Sequence, residues 1–224
     1  VLPTCTDDFG VNKVAKSLHP KEQKLVISRI EEHADIAKSY YFKGETELAY
    51  FKAGQYLTFK LEIGNSVVTR SYSIASSPAS ALNGEYQITV KRINDGFVSD
   101  YILDNWKVGD KVTALAPEGN MIYSKLRDAE NIVAIAGGSG ITPFLSMANA
   151  ICDGDEDFEL TLLYGSRDEK HILFENCLFF FFCEHKSFAP RFQVILHMTL
   201  TAEFAVNIFQ YRNKFFPLFL QEFF

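Results

Sequence analysis

Residues 131–143 read Asn-Ile-Val-Ala-Ile-Ala-Gly-Gly-Ser-Gly-Ile-Thr-Pro, and no other stretch restricts the fold as strongly. Asn131–Ala136 has the continuous apolar character of a strand buried on both faces. The glycines that follow permit a tight turn, and Pro143 suits the first turn of a helix. Pro143–Cys152 then predicts that helix, and Phe158–Tyr164 predicts a second apolar strand. Strand, turn, helix and strand make a parallel βαβ unit, whose ligand site lies at the carboxyl ends of the strands.

Upstream the pattern is different. Lys24–Ile30 alternates apolar and polar residues as a half-buried strand does. Further strands are predicted at Ala37–Phe42, Tyr56–Leu61, Val67–Ile74, Tyr86–Arg92 and Lys111–Ala116, with glycine turn signals between them. Six short strands without long intervening helices predict a small antiparallel barrel. Phe97–Trp106 reads as a short helix, with Val98, Tyr101 and Ile102 on one face. The expected organisation is a lead over residues 1–20, a β-barrel over 21–126 and a partial parallel α/β domain over 127–224. The last of these becomes atypical from about residue 174. That final stretch of 51 residues holds 14 of the 21 phenylalanines and shows no clean alternation of strand and helix. It reads as a greasy helix or interface, or as an ending shifted out of the native reading frame.

Composition excludes several classes of function. The chain of 224 residues is 47% hydrophobic and 22% charged, enough to bury a sizeable core, and its net charge of −6 comes with no basic run to bind nucleic acid. No apolar stretch reaches the ~18 residues of a membrane span, and no targeting signal opens the chain. The four cysteines have no zinc or iron–sulfur spacing, which suits a reducing cytoplasm. Cys177, Cys183 and His185 lie near one another in sequence, but a tetrahedral metal site needs a fourth ligand, and buried free cysteine is the plainer reading. His33, His171, His185 and His197 lack a nucleophile or ligand partner at useful spacing and read as structural or surface residues.

Three segments carry chemistry. Arg70-Ser71-Tyr72-Ser73 ends a strand; alternation puts Arg70 and Tyr72 on one face and Ser71 and Ser73 on the other, unless a bulge brings all four to one ligand. A guanidinium binds phosphate bidentately, an aromatic ring stacks on a planar heterocycle, and hydroxyls donate to ring nitrogens, as an extended flavin dinucleotide requires. The ordinary alternative is a surface strand with Arg70 solvated. Gly96-Phe97-Val98-Ser99 opens the short helix, where free N–H groups seat a phosphate or Ser99 serves as a simple cap. Gly137-Gly138-Ser139-Gly140-Ile141-Thr142-Pro143 makes a dinucleotide-facing turn, although proline stands where a generic Rossmann pattern has its third glycine.

Taken in order and at these distances, the RSYS, GFVS and GGSGITPF segments resemble the ferredoxin–NADP reductase superfamily. The similarity runs from about Lys21 to Phe174 and includes Ala53–Tyr56, the Ala116-Pro117-Glu118-Gly119 turn and Tyr164-Gly165-Ser166-Arg167. The resemblance implies that Arg70 contacts the FAD pyrophosphate, with Ser71 beside it, that Tyr72 packs on the isoalloxazine, and that Ser73 lies near flavin N5. Val90 and Lys91 would flank the cofactor, with Gly96, Val98 and Ser99 at its phosphates. Gly138, Gly140, Thr142 and Pro143 would face the nicotinamide nucleotide, with Thr142 nearest the flavin. Ser73 and Thr142 would thus stand at the reacting atoms. Ser166 and Arg167 would lie beside the adenosine ribose, where they could receive the 2′-phosphate of NADPH in preference to NADH.

The implied reaction is hydride transfer from NAD(P)H to FAD, followed by electron transfer to a protein acceptor such as an iron–sulfur protein. Two departures stand out. The Cys-Gly-Pro segment usual after a later strand is absent, and so is the cysteine spacing of an appended 2Fe–2S domain, which places any cluster on another protein. A competing expectation is a flavin-binding relay subunit that does not itself use NAD(P)H, with the phenylalanine-rich ending as its docking surface.

Overall fold

The computed structural model describes residues 20–33, 36–93, 95–167 and 171–175, together with the backbone of strands at 192–197 and 218–220. The first half of the described chain is an antiparallel sheet of β1 (Glu22–His33), β2 (Ala37–Gly44), β3 (Tyr56–Ile63), β4 (Ser66–Ser73), β5 (Glu85–Lys91) and β6 (Lys111–Leu115). Their spatial order is β4-β3-β6-β1-β2-β5. An antiparallel bridge between Ile74 and Ile88 brings the two edge strands together, so the sheet curls into the expected barrel. The alternation seen in the sequence is the alternation of the fold: in β1, Gln23, Leu25 and Ile27 turn inward, while Glu22 and Lys24 face solvent.

The barrel core is aromatic. Phe42, Phe59 and Tyr40 are fully buried, and Trp106 stands edge-on to Tyr40 and Phe42, at centroid distances of 5.4 and 6.0 Å. Trp106 follows helix α2 (Phe97–Asn105), which closes one end of the barrel through Val98, Ile102 and Leu103. The Tyr40 hydroxyl donates to the Ile102 carbonyl at 3.1 Å and fixes that plug in place. Each large apolar side chain so buried contributes about 1.5–3 kcal/mol.

The second half is a parallel sheet of β7 (Asn131–Gly137), β8 (Glu159–Gly165), β9 (Phe192–His197) and β10 (Leu218–Leu220), in the order β10-β7-β8-β9. A single 3-10 turn at Gly138–Ile141 leads from β7 into α3 (Thr142–Asp153), which buries Phe144, Leu145 and Met147 in a second core. β9 and β10 add two parallel strands to the stretch beyond residue 174, where the sequence showed no clean alternation of strand and helix. FQVILH is the apolar, β-branched run of a buried parallel strand, and the surrounding phenylalanines conceal it. Strand order reverses at β7, whose neighbours are β8 on one side and β10 on the other.

One helix escaped the sequence reading: α1 (Pro78–Leu82), with Ser77 accepting from the Ser80 N–H and proline in its first turn. It links the two halves. The Ser77 hydroxyl donates to Asp153 at 2.5 Å, the Ser146 hydroxyl donates to the Ser76 carbonyl at 2.6 Å, and the Asn149 amide donates to the Ala75 carbonyl at 3.1 Å. The chain leaving β4 is therefore fastened directly to α3.

Among the described residues no helix is long and apolar enough to cross a membrane, and no group of three His, Cys, Asp or Glu side chains could hold a metal. Cys177, Cys183 and His185 lie outside the described residues.

Candidate functional site

β4 pairs with β3 without a register shift, from Ile63–Ser66 to Tyr56–Ser73. No bulge gathers the four residues of the first motif onto one face. Arg70 and Tyr72 stand opposite the buried Phe59 and Leu57, whereas Ser71 stands opposite Thr58 and shares a 2.8 Å hydroxyl contact with it on the other face. Arg70 is exposed at the barrel rim and donates to its neighbour's carbonyl, Thr69 O, at 2.8 Å. Tyr72 is half-buried with its ring 6.2 Å from that of Phe59. Burial pushes its phenol up to about 12 against the opposing pull of Arg70, so it is a neutral aromatic surface at physiological pH.

β5 and α2 supply the next residues. The side chains of Val90 and Val98 are 0% and 4% exposed and belong to the barrel core, so each can meet a ligand only through its backbone. Their β-branched side chains face inward because strand alternation and the helix's apolar face require it. Gly96 is the N-cap of α2 and makes no side-chain cap, which leaves bare backbone at the helix start. A Cβ at Gly96 would come 2.2 Å from Ser99 Oγ and 2.8 Å from the Ile93 carbonyl oxygen. With Asp100 Oδ1 at 3.3 Å on the same side, protein oxygens fill that space and exclude a side chain, so an anion could reach the helix start only at its bare backbone N–H groups.

In the second half, Gly138 has φ +50°, and a Cβ there would approach the Lys91 ammonium nitrogen to 3.0 Å. The last residue of β5 therefore reaches the glycine turn of the other sheet. Gly140 lies within the same turn, and Thr142 donates from Oγ1 to the Ser139 carbonyl at 3.0 Å, closing it, with Pro143 in the first turn of α3. Gly137 and Gly165 are paired at the carboxyl ends of β7 and β8, and Gly165 pairs in turn with His197. Ser166, buried, and Arg167, exposed, leave β8 at that same edge.

The Ala53–Tyr56 segment and the Ala116–Gly119 turn are matched to each other. Tyr56 and Glu118 exchange backbone hydrogen bonds of 2.9 and 3.0 Å, and Gln55 Nε2 donates to the Gly119 carbonyl at 3.2 Å. Sequence reasoning named Tyr164 within the Tyr164–Arg167 segment but gave it no role; its hydroxyl lies 3.1 Å from both the Gly138 carbonyl and the Leu173 N–H. His33, expected to be structural, joins a polar relay: its Nε2 is 2.7 Å from Ser39 Oγ, which is 2.7 Å from Thr89 Oγ1.

This geometry has counterparts among known proteins. A model of the oxidoreductase FAD-binding domain matches residues 25–123, and a model of the oxidoreductase NAD-binding domain matches residues 134–199, well into the phenylalanine-rich stretch. The chain is 32% identical over 147 residues to the glycine betaine monooxygenase reductase subunit of Chromohalobacter salexigens, covering 66% of this chain and 39% of that protein. It is 35% identical over 176 residues to the flavohemoprotein of Candida albicans, covering 75% of this chain and 42% of that one. The chain thus spans about two-fifths of the length of the curated relatives it matches. Phthalate dioxygenase reductase, described as a modular structure for electron transfer from pyridine nucleotides to a 2Fe–2S centre, superposes with a TM-score of 0.67. Its identity is 27%, over 87% of this chain and 57% of that structure. With a barrel, a glycine turn at a reversal of strand order and both domain models in sequence, the chain belongs to the ferredoxin–NADP reductase superfamily of FAD- and NAD-binding oxidoreductases.

Proposed function

We propose that the chain carries the flavin and nicotinamide sites of a reductase that takes hydride from NAD(P)H and delivers electrons to an iron–sulfur protein. The observation that carries this reading is the contact between the halves: Lys91 of β5 lies against Gly138, and the chain leaving Ser73 is hydrogen-bonded to α3. Bound FAD supplies the acceptance of hydride and its release as electrons, and the protein supplies position and polarity.

In this reading Arg70 pairs with the FAD diphosphate from the barrel rim, with Gly96 and Ser99 at the start of α2 receiving phosphate oxygens. Tyr72 gives the isoalloxazine a flat face, and Ser73 donates a hydrogen bond near its N5. The Gly138–Gly140 turn, Thr142 and Pro143 hold the nicotinamide nucleotide. Arg167, exposed just past β8, gives the 2′-phosphate of NADPH a partner that NADH does not need. Electron acceptors named for relatives differ, and the iron–sulfur choice rests on the likeness to phthalate dioxygenase reductase.

Tyr72→Ala is expected to weaken FAD by about 30-fold, from lost apolar area and stacking. Flavin retained through gel filtration, with its absorbance spectrum, is the measurement; parental occupancy and spectrum would remove Tyr72 from the site. The function itself is tested by steady-state reduction of ferricyanide and of a 2Fe–2S ferredoxin with each nucleotide. Turnover with NADPH exceeding that with NADH is expected, and flavin-loaded protein that turns over with neither nucleotide would refute it.

A further inference from the structure

We infer that Tyr164 is a positioning residue for the nicotinamide nucleotide: its hydroxyl pins the Gly138 carbonyl and thereby aims the Ser139 N–H at the nucleotide's diphosphate. The inference rests on the proposed nucleotide site at the Gly138 turn and gives a role to a residue to which the Tyr164–Arg167 segment assigned none.

The direction of the hydrogen bonds follows from chemistry. The Leu173 N–H can only donate and the Gly138 carbonyl can only accept, so the phenol accepts from the first and donates to the second, both at 3.1 Å. Tyr164 is fully buried, and burial raises its phenol, which keeps the donated proton in place. A trans peptide is planar, with its C=O and the next N–H pointing in opposite directions. Holding the Gly138 carbonyl toward Tyr164 therefore turns the Ser139 N–H the other way, at the entrance to α3, where an anion is favoured. Gly138 sits at φ +50° at the start of the 3-10 turn, and the Tyr164 hydroxyl adds to the turn's own hydrogen bonds a hold from the neighbouring strand.

The hold is itself braced. Leu173 is fully buried, and Phe174, 5% exposed, takes φ +62°, a left-handed conformation that a phenylalanine adopts only when its surroundings impose it. Its ring stands edge-on to His33 of β1 at 4.8 Å. The strap of Leu173 and Phe174 is thus clamped between the barrel and the glycine turn.

The test uses the FAD-loaded protein with ADP-ribose, which carries the diphosphate without the nicotinamide, measured by calorimetry, and NADPH-driven flavin reduction measured in parallel. Y164F is expected to weaken ADP-ribose about tenfold and to raise half-saturating NADPH by a similar factor. FAD content and the limiting reduction rate are expected to stay within twofold of the parent. Phe174→Ala, which keeps the phenol and removes the ring held by His33, is expected to weaken ADP-ribose about threefold. Parental ADP-ribose affinity in either variant overturns the inference, as does a loss that occurs only together with loss of FAD. A parent that binds ADP-ribose but is reduced by neither nucleotide refutes the proposed function and leaves the role of Tyr164 standing, whereas a parent that is reduced by NADPH but does not bind ADP-ribose overturns the role of Tyr164 and leaves the proposed function standing.

Discussion

Gly138→Val is expected to slow nucleotide-driven flavin reduction by about 100-fold, the scale of a reactant displaced by an ångström. Two independent constraints act at this residue. Its φ of +50° excludes a β-branched side chain without strain, and the first added carbon would meet the Lys91 ammonium nitrogen at 3.0 Å. The lysine can move aside, but the turn would shift with it, and the hydrogen bond from Tyr164 to the Gly138 carbonyl would be lost. FAD should be retained, because Arg70, Tyr72 and Gly96 belong to the barrel and its plug, whose core is separate from that around α3. Reduction of the bound flavin by dithionite, unchanged in the variant, distinguishes a blocked nucleotide from a damaged flavin. Equal rates with NADPH in variant and parent would remove Gly138 from the nucleotide site.

Gly54→Ala is expected to destabilise the folded protein by about 3 kcal/mol, combining a left-handed backbone with overpacking. Gly54 has φ +98°, and a Cβ there would lie 1.9 Å from the Met121 carbonyl oxygen and 2.8 Å from Met147 Cε. The backbone oxygen cannot rotate away as a side chain can, so the Ala53–Tyr56 turn must separate from the segment that follows Gly119. That separation would also disturb the Tyr56–Glu118 hydrogen bonds and the seat of Met147 on α3. For a chain of this size the loss corresponds to a melting midpoint lower by about 10 °C. A parental midpoint in the variant would mean that the barrel does not pack on α3 in this way.

The sequence disclosed the barrel because each strand has one buried face, and the alternation of Gln23, Leu25 and Ile27 in β1 is visible without a structure. Strand ends were less legible. β1 runs to His33, beyond the expected Ile30, because β2 continues to pair with it after the register shift between Ile27 and Arg29. The helix at Pro78–Leu82 carries a start signal in Ser77-Pro78, but five residues give too little periodicity to show a face. β9 was hidden by composition, since a buried strand without alternation looks like its phenylalanine-rich surroundings.

The candidate site was legible as an ordered set of motifs and illegible in its orientations. Ser71 turns from the face of Arg70 and Tyr72 because β4 is regular, and the side chains of Val90 and Val98, expected to flank a cofactor, belong to the barrel core. Tyr164 gave no local signal, because its partners are 26 residues earlier at Gly138 and nine later at Leu173. Only the closing of β7 on β8, which pairs Gly137 with Gly165, brings that phenol under the glycine turn.

Anaerobic stopped-flow mixing of the FAD-loaded protein with NADPH, and separately with NADH, followed through the flavin's visible absorbance, tests the central claim most directly. The arrangement of Lys91, Gly138 and α3 beside the end of β4 predicts rapid bleaching by nucleotide, and the proposed role of Arg167 predicts that NADPH is the faster donor. A yellow protein bleached by dithionite but by neither nucleotide would contradict the account.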